Sequence, residues 1–145
     1  MDRCKLANDY HSQGFNCSQS VLAAFSDLTG LSMQDSCNLA GGFGGGAGTK
    51  ELCGAITGAI MTLGILTPVD LSDPVGSKKR SVALSKEFQR RFSERFGALR
   101  CGELLQNKVV PQEGTAAHRL GVTGHCSIMI VTAVEVLEQM LAERD

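Results

Sequence analysis

The chain has 145 residues, 43% of them hydrophobic and 20% charged, with a formal net charge of −1. That length suits one domain with a real core, and the near-neutral charge gives no overall pull toward nucleic acid or an anionic membrane. Trp is absent and there is one Tyr, which removes the aromatic platforms that single-stranded nucleic acid stacks on.

Residues 3–13, with Cys4, Leu6, Ala7, Tyr10 and His11, read as a weakly amphipathic helix ended by Gly14. Asn16 with Gln19 three residues on is a variant capping box, and it opens a helix whose stripe is Val21, Leu22, Phe25 and Leu28. Gly30 closes that helix, and Cys17 takes its first position. Ser32 with Asp35 starts another short helix through Met33, Cys37 and Ala40. A glycine loop, Gly41-Gly42-Phe43-Gly44-Gly45-Gly46-Ala47-Gly48, leads to a helix expected over about 50–65, with Thr49 as N-cap and Cys53 in its opening turns. Gly54, Gly58 and Thr62 repeat small residues along it. A helical Gly costs about 0.5–1 kcal/mol relative to Ala, so two of them call for a packing or functional reason.

Residues 67–77 form a surface connection, and residues 78–96 are the clearest helix, with Leu84, Phe88, Phe92 and Phe96 recurring every four positions. Cys101 opens a short helical turn, and residues 106–124 look irregular. Thr123 is the expected cap of a final helix carrying Cys126 in its first turn. Residues 128–134 are β-branched enough for a buried strand, but 135–143 are strongly helical and no turn intervenes, so one long helix is expected. The fold expected is all-α: a single compact domain over residues 1–145, of about five to six helices with a glycine-rich loop.

The start, Met1-Asp2-Arg3-Cys4-Lys5, is polar and lacks the apolar core of a signal peptide, so a cytoplasmic location is expected. The longest apolar stretches, 55–66 and 128–134, fall short of the roughly 20 residues of a membrane span, and none is expected. In a reducing compartment, six cysteines point to metal, cluster or redox use, or to buried structural thiols. Cys17, Cys53 and Cys126, and Cys101 with them, fall at predicted helix starts, where partial positive charge and free amides favour a thiolate. Zinc is disfavoured, because structural zinc sites use closely spaced Cys pairs and these four are widely separated. His125 beside Cys126 is a candidate base, ligand or hydrogen-bond donor, although a surface histidine at a helix start is the commoner case; His11 and His118 carry no signal.

The glycine loop fits G-x-G-x-x-A, yet no strand precedes it, so a phosphate role is set aside in favour of glycines that let the backbone pass close to the thiols or cover them. Between Lys78 and Arg100 lie eight basic residues against Glu87 and Glu94, a local +6 that would suit an acidic partner, with a solvated helix face as the commoner explanation. Arg100 stands apart, since a cation beside Cys101 would favour its thiolate.

Cys17, then Cys53-Gly54-Ala55-Ile56-Thr57-Gly58, then Cys101, then Cys126 resembles the C_GCAxxG_C_C family of redox-active proteins over nearly the whole chain. The resemblance carries over to Cys17, Cys53, Gly54, Ala55, Gly58, Cys101 and Cys126; Cys4 and Cys37 lie outside it. It implies redox chemistry or metal–sulfur ligation at the four cysteines, with an iron–sulfur cluster and a dithiol cycle weighing about equally; a related domain in split-Soret cytochromes supports the cluster by analogy. In the dithiol case Cys53 is the expected attacking thiolate. The alternative is a binding module holding a metal or small ligand without turnover, since members of the family often lie near transporter genes. A redox partner or small ligand is expected, no nucleic acid, and the apolar final helix suits either a core or a homodimer interface.

Overall fold

The computed structural model describes residues 1–144, and six of its helices are seven residues or longer. Helix α1 (Arg3–Ser12) is capped by Asp2, whose side chain accepts from the Lys5 amide. The Asn16–Gln19 capping box forms in both directions, at 2.8 and 2.9 Å, and launches α2 (Cys17–Ala24) with Cys17 first. A break at Phe25 sets off the single turn α3 (Ser26–Thr29), which Gly30 closes in the left-handed region. Ser32 caps α4 (Met33–Ala40) through the Asp35 amide.

The helix expected from residue 50 begins later. The chain first makes a π turn over Gly46–Lys50, in which Ala47 and Lys50 both take φ of 59°. Residues in the left-handed region interrupt a right-handed helix, so Thr49 caps nothing and its hydroxyl donates to the Gly46 carbonyl at 3.2 Å. Leu52 then pairs with Arg100 in an isolated antiparallel bridge, and α5 runs Gly54–Leu66 with Cys53 at its N-cap. No longer β-strand forms among the described residues.

Helix α6 (Pro74–Phe96) starts four residues before the expected boundary, because Pro74 is compatible with the first turn and Asp73 caps the Gly76 amide. Its aromatic stripe is core: Phe88 and Phe92 are fully buried, and the Phe92 and Phe96 rings lie 4.9 Å apart. One turn each makes α7 (Cys101–Leu104) and α8 (Ala116–Arg119), the latter within the stretch expected to be irregular. Thr115 caps α8 at the His118 amide, and Glu135 accepts from the Ala116 amide at 2.8 Å. Helix α9 (His125–Glu143) starts after Gly124 rather than from a Thr123 cap.

Helix α9 is the central rod, packed by α1, α2, α5, α6 and α8. By length and composition it could cross a membrane, but residues 128–134, 136, 137 and 140 are buried inside the bundle. Its β-branched run therefore finishes the core of this chain. The polar flank is tied down by ion pairs from Arg95 to Glu135, Arg91 to Glu143 and Arg3 to Glu138, at 2.7–3.0 Å. These pairs also correct the picture of a +6 surface. Arg90, Arg91, Arg95 and Arg100 are matched by Glu87, Glu143, Glu135 and Glu51, leaving Lys78, Lys79, Arg80 and Lys86 on the exposed face.

Candidate functional site

The small face of α5 lies against the first turns of α2. A Cβ on Gly58 would stand 2.7 Å from the Ser18 carbonyl oxygen and 3.0 Å from the Val21 Cβ. On Gly54 it would stand 3.0 Å from the Phe43 carbonyl oxygen and 3.1 Å from the Cys17 Cβ. The Gly58 separation is shorter than real side chains tolerate and the Gly54 ones are tighter than most, so glycine at both lets the two helices approach this closely. Ala55 is fully buried beside them, and the Thr57 hydroxyl reaches the Gly54 carbonyl at 3.0 Å and Ser18 Oγ at 3.3 Å. The start of α5, with Cys53, is thereby drawn up to the start of α2, with Cys17.

The bridge between Leu52 and Arg100 fixes the next pair. The Cys53 amide donates to the Leu99 carbonyl at 2.9 Å, and the Cys101 amide donates to the Glu51 carbonyl at 2.6 Å. Gly46, at φ of 64°, lies behind them; a Cβ there would meet the Glu51 carbonyl oxygen at 2.7 Å and the Cys101 Cβ at 2.9 Å. The glycine loop is thus packed against the segment carrying Cys101. Its entry is held to the α2 cap, where Asn16 Nδ2 donates to the Gly41 carbonyl at 3.1 Å.

Cys126, in the first turn of α9, is the group that acts most strongly on Cys17. All six cysteines are free thiols. In the Cys17–Cys126 pair one thiolate is shared: the hydrogen bond from Cys17 brings Cys126 down to about 6 against the opposing effect of burial. The same contact, with burial and the charges of Cys126, Cys53 and Cys101, pushes Cys17 far up. Cys53 is 5% exposed and is pushed up to about 11 by burial, although the Ala55 and Ile56 amides at the helix start pull the other way. Burial and Cys126 raise Cys101, while the Lys50 charge lowers it.

Helix-start placement therefore does not by itself depress a thiol here: Cys126 is lowered by Cys17, and at Cys53 the amides act as expected but desolvation outweighs them. Arg100 is not the cation acting on Cys101. Its guanidinium is held in a two-pronged pair with Glu51, at 3.0 and 3.1 Å. Replacing Lys50 with Gln should slow Cys101 alkylation about twofold to threefold at neutral pH, whereas Arg100→Gln should leave it unchanged. Thiol-specific labelling followed by peptide mass spectrometry measures both.

His125 opens α9 next to Cys126, half-buried, with its pKa lowered by burial. His11 carries no sequence signal yet lies closer to the arrangement than its position suggests: its Nδ1 is 3.3 Å from the Ser127 hydroxyl, one residue beyond Cys126. Cys4 sits apart, buried against α9 with Sγ 3.7 Å from the Val131 carbonyl and pushed up to about 12 by burial. Cys37 lies on α4, its thiol raised by burial. Among the described residues, no three His, Cys, Asp or Glu side chains stand close enough to hold a metal ion. Four thiols are the donor type of an iron–sulfur cluster.

Fold and site together define an all-α protein whose cysteines are gathered from helix starts by glycine-mediated close packing. Residues 15–140 match the model of the family described as "Putative redox-active protein (C_GCAxxG_C_C)", and the chain belongs to that family. No curated protein and no solved structure matches it.

Proposed function

We propose that this protein performs thiol–disulfide exchange through Cys17 and Cys126, with Cys126 as the attacking thiolate and Cys53 and Cys101 as flanking thiols. The observation that carries this reading is the pairing of the helix-start thiols Cys17 and Cys126, in which half-buried Cys126 is held near 6 by Cys17. At neutral pH such a thiol is mostly ionised, and the thiolate is the nucleophile. Cys53 is a poorer attacker, being buried and raised.

The co-reactant is a disulfide, on a small molecule or another protein. The Cys126 thiolate attacks one sulfur of that disulfide, the S–S bond breaks, and the first partner thiolate leaves and takes a proton from water. Once Cys126 is in the mixed disulfide it carries no charge, so the largest influence holding Cys17 protonated is gone. Cys17 then loses its proton to water and attacks the Cys126 sulfur, closing the Cys17–Cys126 disulfide and expelling the second thiolate. Two electrons pass to the partner, which ends as two thiols.

The test is disulfide mapping after titration with oxidised dithiothreitol or glutathione. A Cys17–Cys126 cross-link, abolished by Cys17→Ser, is expected; oxidation confined to Cys53 and Cys101, or no oxidation, overturns the reading. Anaerobic incubation with iron and sulfide, read by visible absorption, supplies a second arm. A stable chromophore that depends on all four cysteines would replace dithiol exchange with cluster binding.

A further inference from the structure

A cavity opens elsewhere on the bundle. It is bounded by the end of α6, the segment 107–115 and the first two turns of α9, and encloses about 350 Å³, within the range of small-molecule sites. None of the four family cysteines lines it. From its chemistry we infer that this pocket binds an organic anion with an apolar body, a carboxylate carrying an aliphatic or aromatic tail.

The walls provide the apolar part through Phe96, Val109 and Ile128. The polar part rests on Thr132, which lines the cavity and is 4% exposed. A buried helical threonine usually bonds the carbonyl one turn back, as Thr62 does to Gly58 at 2.8 Å. Thr132 makes no such bond, and it is not among the fully buried hydroxyls left without a partner, so its hydroxyl opens onto the cavity. A donor open to the cavity can give its hydrogen bond to a ligand acceptor in exchange for solvent.

Lys108 supplies the charge. It lines the same cavity and pairs with no carboxylate among the described residues, whereas the other charged lining groups are already matched: Arg95 by Glu135 and Glu94 by Arg90. An ammonium at the mouth, a hydroxyl donor in the wall and an apolar lining together select a carboxylate with a tail over a neutral hydrocarbon or a bare inorganic anion.

Sodium octanoate is the probe, titrated into the full-length reduced protein and followed by ¹H–¹⁵N NMR. Saturable binding is expected, with shifts centred on residues 94–96, 107–112 and 128–132. Lys108→Gln should weaken binding about tenfold, as expected for loss of a charge-assisted contact. Thr132→Val should weaken it severalfold, and Thr132→Ser should restore it. The neutral analogue 1-octanol should bind at least several times more weakly. No saturation up to about 10 mM, shifts centred elsewhere, or octanol binding as tightly as octanoate would each overturn the inference. Lys108 is exposed, so its variant keeps the test valid if Thr132→Val folds poorly. None of these readouts depends on the cysteines, so the pocket and the dithiol proposal stand or fall separately.

Discussion

In Cys17→Ala, the pKa of Cys126 is expected to rise from about 6 toward the ordinary thiol value of about 8.5. The thiolate fraction at pH 7 would fall from about nine-tenths to a few per cent, roughly a thirtyfold loss in iodoacetamide reactivity at Cys126. Stopped alkylation across pH 5 to about 10, read peptide by peptide, measures it. A midpoint that stays near 6 in the variant would show that Cys17 is not its cause.

The same pair sets a pH dependence of stability. Cys126 is depressed in the folded state, so its contribution is complete above the ordinary thiol range and is lost as pH falls through about 6. Cys17 is raised, so its contribution is complete below the ordinary range and declines as pH rises beyond it. The pair's net contribution therefore grows between about 6 and 8.5 and falls above that, and Cys17→Ala should flatten this profile in denaturant melts.

The second large effect is in the α2–α5 contact. Gly58→Ala places a methyl 2.7 Å from the Ser18 carbonyl oxygen, a backbone atom that cannot turn aside. Overpacking of this kind costs about 1–3 kcal/mol, more than the gain of up to about 1 kcal/mol in helix propensity. Gly64→Ala on the same helix is the control, because nothing lies within 4 Å of its added Cβ. It should stabilise by about 0.5–1 kcal/mol. Chemical denaturation of the two variants should thus show opposite signs. The Gly58→Ala protein should also lose the depressed midpoint of Cys126, because α2, which carries Cys17, is the element displaced.

Much of the fold was legible because its signals are local. Asn16 with Gln19, Ser32 with Asp35, and Gly30 announce helix ends through side chains acting within one turn. The four-residue repeat from Leu84 to Phe96 announces a buried stripe. The π turn was hidden because Ala47 and Lys50 are ordinary residue types that reveal nothing of a left-handed backbone. Helix α8 was hidden because one of its start amides is satisfied by Glu135, 19 residues away on another helix. At the site, Gly54 and Gly58 signalled a close approach, but not which cysteine would be depressed. That depends on Cys17 touching Cys126 and on how deeply each thiol is buried, which are properties of the assembled bundle.

The Cys17–Cys126 contact joins two residues from nearly opposite ends of the chain, so it exists only when the bundle is complete. In most proteins a cysteine reacts faster once the chain opens. Here Cys126 should do the reverse at pH 7, since opening returns its thiol to an ordinary, mostly protonated state. Cys4, 3% exposed and pushed up to about 12, should behave in the usual way and become labelled only on opening. The ratio of label at these two cysteines is then an internal gauge of integrity, one falling as the other rises, readable in a crude extract without purifying the protein.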